Sequence, residues 1–510
     1  MNRRDLIRAL AALGAGSALP AFALDAAPAG SGAAAAAFDR AVAEMRWLGA
    51  LKGVSAGTDT LRCDRLAVSG RWPAGLRGRF YRNGPALFER GGQRYRHWFD
   101  GDGMVQRFEF GPNGVSHLGR MVRTPKLANE REAGRFLVNA LGTRIDDEAP
   151  VQGPDSFNTA NTNAIEHAGR VLAMWEGGSA FALDPADLST RGAVTWQPGL
   201  EQAPFSAHPK LDPQGNLWNI GTTQDKVVVW HVDPAGKLAR VQIGESPYPG
   251  GMAHDVAITE RYIVLPLPPV RLNFGRAGRG REPEQAMDFA PDQPLRILVM
   301  RKDDVAERRV FELPAQFVFH VGNAHERSDG TIVLSFVGAP DATFLTRDAI
   351  ALMRGEGGMS THTRTQVATL DMASGRARVD ALAGAVEFPR IDPRRIGLPA
   401  RHLVTAVNWK SFPGRGRTLF HGIQVQDLAS GRVDRFDYGA DAVVEEHIVV
   451  PKPGSTRELD AWLVGTTFDA RRQATQVNVL DARRVADGPI AQATLPYALP
   501  LGFHGNFSAA

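Results

Sequence analysis

The chain has 510 residues, a net charge of +4, 43% hydrophobic residues and a single cysteine. So small a charge, with no basic run interleaved with aromatics, excludes a nucleic-acid footprint and a nucleic-acid partner. Cys63 alone can form neither an internal disulfide nor a thiolate metal cluster. The 54 glycines and 33 prolines are spread along the chain, which predicts many turns rather than one low-complexity tail.

Residues 1–23 read as a signal peptide of twin-arginine type. Arg3, Arg4 and Arg8 precede a short Ala/Leu/Gly run, and Ala21-Phe22-Ala23 fits a small-x-small cleavage site. That run is short for a span of ~20 residues. It predicts export of a folded protein to a bacterial periplasm. Residues 24–49 are expected to be an Ala/Gly/Ser-rich linker to about residue 37, then a short helix carrying Phe38, Val42, Met45 and Leu48 on one stripe.

From residue 50 to 510 one unit recurs: an alternating strand, a turn with Asp and often Gly, then a second strand. Examples are Trp230-His231-Val232-Asp233-Pro234-Ala235-Gly236, Thr369-Leu370-Asp371-Met372-Ala373-Ser374-Gly375 and Val425-Gln426-Asp427-Leu428-Ala429-Ser430-Gly431. The spacing, roughly 45–60 residues, is that of propeller blades. The expected fold is all-β, a β-propeller with Pro/Gly-rich insertions at 264–294 and 338–365; a pair of β-sandwiches is the alternative. Long helical periodicity is nearly absent, and a helix is expected only at Thr346–Arg354 within the insertions.

Of thirteen histidines, four lie where an apolar run begins or ends: His208, His254, His320 and, in the glycine-flanked tail, His504. Strand ends of this kind converge on the axis of a propeller. Four neutral imidazoles suit iron, zinc, copper or nickel, and their spacing does not choose among these.

Three further stretches carry a resemblance. Gly78-Arg79-Phe80-Tyr81-Arg82-Asn83-Gly84-Pro85, His97-Trp98-Phe99-Asp100-Gly101-Asp102-Gly103-Met104 and Glu387-Phe388-Pro389-Arg390-Ile391-Asp392 resemble the carotenoid cleavage oxygenases. That family includes the retinoid isomerase of the eye and the lignostilbene dioxygenases. The likeness runs through Ala160-Asn161-Thr162-Asn163 and the histidine segments to Gly502-Phe503-His504-Gly505, covering residues 50–510. It implies a seven-bladed propeller capped by a dome of loops and short helices. It also implies a ferrous ion held by His208, His254, His320 and His504, while His325 stands where the family usually has an aromatic residue.

Glu176, Glu387 and Glu446 match the glutamates that accept the far ring N–H of the ligands and supply negative charge. Glu446 is preferred to Glu445 because of the residues that follow it. The implied reaction adds O2 across a C=C bond of a carotenoid, apocarotenoid or stilbene, giving two carbonyl products. A non-catalytic binding module and an isomerase–hydrolase outcome are the other readings.

The stilbene-cleaving branch tends to hold its phenol with a tyrosine and a lysine. The matching places here are Met121 and the stretch Asp155-Ser156-Phe157. Met121 and Phe157 are therefore expected in an apolar substrate pocket that favours a polyene. Leu265, Leu267, Val270, Leu272, Phe274, Phe344, Leu345, Ile350 and Leu352 in the insertions either form a mouth that touches a membrane or pack the dome.

Overall fold

The computed structural model describes residues 33–510 except 113, 224, 250, 273–286, 360–361 and 411–418. The expected signal peptide and the first part of the linker, with Phe274, lie outside the described residues. No described helix is long and apolar enough to cross a membrane.

Seven antiparallel sheets of four or five strands form a seven-bladed β-propeller, with two small two-stranded sheets added. The Asp/Gly segments are the blade hairpins. Asp371 accepts from the backbone N–H groups of Ala373 and Ser374, and Asp427 does the same for Ala429 and Ser430. Each turn then uses a glycine in the left-handed region, Gly375 (φ 78°) or Gly431 (φ 74°).

The ends of the chain are interleaved twice. The strand Gly78–Leu87 pairs with His504–Ala509, in register Asn83 opposite His504, and Ala67–Gly70 pairs with Pro489–Thr494 in the next blade. This closure carries the C-terminal histidine to the innermost position of its blade, between the inner strands Ala442–Pro451 and Asn163–His167.

Apolar layers hold neighbouring blades together. Val299 and Phe311 of one blade pack against Val321, Leu334 and Ala368 of the next. Each of the valine, leucine and phenylalanine side chains contributes about 1.5–3 kcal/mol on burial.

The dome differs from expectation in three places. The first helix, Ala33–Glu44, begins inside the segment expected to be linker, because its alanine run is a strong helix former. It continues into a 3₁₀ turn, Arg46–Leu51, whose Trp47, Leu48 and Leu51 are buried with Leu352 and Met353 of the insertion helix. That insertion is helical from Phe344 to Arg354.

A further helix, Pro125–Ala133, had no apolar stripe to announce it. Its buried face carries Lys126 and Glu130, which pair with each other and, through Lys126, with Asp102 (2.9 and 2.8 Å). Only its ends were written in the sequence: Thr124 caps its N-terminus, Pro125 opens it, and Gly134 closes it in the left-handed region.

Among the insertion residues whose side chains are described, Leu265, Leu267, Val270, Leu345, Ile350 and Leu352 are buried and Phe344 is half-buried, so these pack the dome.

Candidate metal centre

Each of the four histidines is delivered to the axis by the start or body of an inner strand. His208 and His254 stand just before Lys210–Leu211 and Ala257–Ile258; His320 lies in Phe317–Glu326, and His504 opens the last strand. All four are buried, and their ligand atoms lie within 4.8 Å of one another. Nε2 of His208 is 2.9 Å from Nε2 of His254. The His254–His320 and His320–His504 separations are 3.3 and 3.1 Å.

Neighbouring ligands at right angles on an ion with bonds of about 2.1 Å stand about 3 Å apart, so these spacings fit one shared ion. Ring centroids are furthest apart for His254 and His504, at 6.5 Å, against 4.5–5.3 Å for the other pairs.

The far ring nitrogens meet carboxylates. His320 Nδ1 lies 2.5 Å from Glu387 Oε2, and His504 Nδ1 lies 2.9 Å from Glu446 Oε1. His254 Nδ1 is 3.0 Å from Glu176 Oε1, close but off-line for a hydrogen bond. His208 Nδ1 has only Asp255 Oδ1, at 3.7 Å, beyond bonding distance. Asp255 is instead held by Lys210 (2.8 Å) and the Val321 N–H (2.8 Å). It was legible only as the residue following a ligand.

Burial, then the surrounding rings, pushes His208 well below its ordinary pKa. Burial takes His504 down to about 3 against the pull of Glu446. For His320 burial acts downward too, but Glu387, with Asp255 and Glu446, outweighs it and the net shift is upward. Burial would raise Glu446, yet Arg390 and His504 hold it well below the carboxylate range.

Charge decides what the site can hold. Glu446 is paired with Arg390 by two 2.8 Å bonds, and Asp255 with Lys210. Among the described residues neither Glu176 nor Glu387 has a lysine or arginine partner. Two uncompensated carboxylates behind four neutral imidazoles fit a dication.

A cavity of roughly 730 Å³ opens onto this cluster. The DGDGM-containing motif builds part of its wall. His97 caps the 3₁₀ turn Trp98–Asp100, Asn161 Nδ2 holds the carbonyls of Phe99 and Gly101 (2.9 and 2.8 Å), and Trp98 and Phe99 line the cavity.

Phe388 lines it too, with φ at +56°, a costly value for a residue with a Cβ; its ring stacks on His320 at 5.5 Å. Phe157 is in the wall as expected, edge-on to Trp175. Met121 is not. It is 1% exposed and packed among Ala86, Leu87, Met104 and Leu127, because it ends a strand whose alternation points it away from the cavity. Its assignment to the substrate pocket is corrected on that ground.

Residues 56–509 match the retinal pigment epithelial membrane protein family. The chain belongs to this family of carotenoid cleavage oxygenases. Among its carotenoid cleavage oxygenase relatives, the apocarotenoid-15,15'-oxygenase of Synechocystis is 30% identical over 86% of this chain and 92% of that protein. The lignostilbene-alpha,beta-dioxygenase isozyme III of Sphingomonas paucimobilis is 31% identical over 87% and 94%. A solved Synechocystis apocarotenoid oxygenase, a glutamate-to-glutamine variant, superposes with a TM-score of 0.79 at 28% identity, covering 91% of this chain and 98% of that one. The cobalt-substituted form of the same oxygenase gives 0.80 at 27% identity, with the same coverage.

Proposed function

We propose that this chain is a ferrous dioxygenase that splits a C=C bond of an apocarotenoid-like polyene with O2, giving two carbonyl products. The observation that carries the reading is the joining of two features: a buried four-histidine cluster balanced for a dication, and an aromatic-walled cavity that ends on it. Iron would supply activation of dioxygen. The protein's residues do the rest.

His208, His254, His320 and His504 would hold the ion. Glu387 and Glu446 fix the ring tautomers so that Nε2 faces inward, and Glu176 adds charge behind His254. Trp98, Phe99, Phe319, Phe388 and Phe503 exclude water and align an apolar chain by shape.

The relatives include enzymes named for apocarotenoids and for stilbenes. What favours the polyene is the wall: among the described lining residues there is no lysine, arginine or tyrosine to hold a phenolate. The twin-arginine leader, Arg3-Arg4, supports export to the periplasm after folding. Cell fractionation of the full chain, with and without Arg3→Lys/Arg4→Lys, tests that part.

The test of the reaction is oxygen uptake and product mass spectrometry on iron-loaded protein with a panel of apocarotenals, apocarotenols and stilbenes. Two aldehyde or ketone fragments from a polyene are expected. Efficient cleavage of hydroxystilbenes with every apocarotenoid untouched would move the assignment to the stilbene class.

A further inference from the structure

Three of the four ligand histidines belong to three separate sheets. His208 precedes Lys210–Leu211, His254 precedes Ala257–Ile258, and His320 lies within Phe317–Glu326; each of these strands is the first of its own blade. A centre shared among blades works only if their inner ends are held in register, to within about 0.5 Å.

One side chain meets all three segments. Asp255 follows His254 and is buried. Its Oδ1 accepts from Lys210 Nζ at 2.8 Å and from the Val256 N–H at 2.7 Å, and its Oδ2 accepts from the Val321 N–H at 2.8 Å. Lys210 stands two residues after His208, and Val321 stands next to His320. Asp255 approaches the His208 ring itself only to 3.7 Å, so it acts on the segments that carry the rings rather than on a ring nitrogen.

The other side of the axis repeats the device. Arg390, at the end of Val386–Arg390, holds Glu446 of Ala442–Pro451 and the Gly505 carbonyl of His504–Ala509. These strands belong to three further sheets. Each buried ion pair is thus laid across three blades.

We propose that Asp255 is a positioning residue of the metal centre: joined to Lys210 and Val321, it sets the spacing of His208, His254 and His320. The chemistry follows from the carboxylate, which accepts at both oxygens. An amide of the same size has one acceptor oxygen. It can serve Val321 or the Lys210–Val256 side, and not both. The proposal rests on the four histidines holding a metal and asks nothing of substrate or reaction.

Cobalt(II) is the probe, because its d–d absorption reports the number and arrangement of its ligands. Affinity is measured on the full chain by competition with a chelator, beside a melting curve. The decisive variant is Lys210→Met/Asp255→Asn. It removes one positive and one negative charge together, so the net charge around the ion is unchanged. A purely electrostatic role for Asp255 would leave affinity and spectrum alone. The positioning role predicts an affinity lower by ~10–100-fold and altered cobalt bands.

Asp255→Asn by itself should alter the bands in the same way and lose further affinity with its charge; it carries the test if the double variant does not fold. Wild-type bands in either folded variant overturn the proposal, whatever the melting temperature. A wild-type chain that takes up neither cobalt nor iron is a different failure. It removes the metal centre itself, and the role of Asp255 with it.

Discussion

Glu387 Oε2 receives two donors at once, His320 Nδ1 at 2.5 Å and the Phe388 backbone N–H at 2.6 Å. Together the two donors fix the carboxylate, and the carboxylate in turn orients the His320 ring. Glu387→Gln keeps the size and an acceptor oxygen but removes one of the two charges that no cation balances. Metal affinity or turnover should fall ~10–100-fold, with little change in thermal midpoint. Iron titration beside a melting curve checks this; unchanged affinity and rate would remove Glu387 from the metal's support.

His254 has Nε2 neighbours at 2.9 and 3.3 Å in His208 and His320, and among the described residues no further histidine or cysteine joins the group. His254→Ala should therefore purify without iron and without activity. Metal analysis of the purified variant is sufficient. A variant that held a full equivalent of iron at a near-normal rate would place the centre elsewhere.

Arg390 grips Glu446 at both oxygens and also donates to the Gly505 carbonyl. Arg390→Met leaves a buried carboxylate with the His504 ring and the Gly505 N–H as donors and no cation. Breaking a buried pair from one side typically costs about 3–5 kcal/mol. The expected result is a large loss of unfolding free energy in urea, partly recovered by Glu446→Gln in the same chain. No recovery would mean that Arg390 acts on the fold by some route other than this pair.

Met121→Tyr, at the place matching the tyrosine of the stilbene-cleaving branch, should not create a phenol anchor. Met121 is enclosed on all sides, and forcing extra volume into such a site costs about 1–3 kcal/mol. A lower melting temperature with no gain on hydroxystilbene is expected. A gain in rate on that substrate alone would show that the position reaches the cavity after all.

The sequence by itself determined the blade repeat and the chemical inventory of the centre. Both are written locally. An Asp that caps a turn followed by a glycine that closes it specifies a hairpin wherever it stands, as at Asp371-Gly375 and Asp427-Gly431. The four histidines were legible because each sits at the edge of an apolar run. Their glutamates were legible mainly through resemblance, since nothing near Glu176 or Glu387 in the chain names a histidine partner.

Only the tertiary structure decided the rest. The slip in pairing after Val444 turns both Glu445 and Glu446 inward, and it belongs to two strands rather than to one. The burial of Met121 follows from which face of its strand meets Leu87 and Leu127. The charged face of Pro125–Ala133 makes sense only beside Asp102. His504 becomes a neighbour of His320 because the last strand pairs with Gly78–Leu87 near the other end of the chain. Periodicity reports which way a side chain points along its own element, whereas a site is made by which elements meet, and that is settled by ring closure and by the packing of blade on blade.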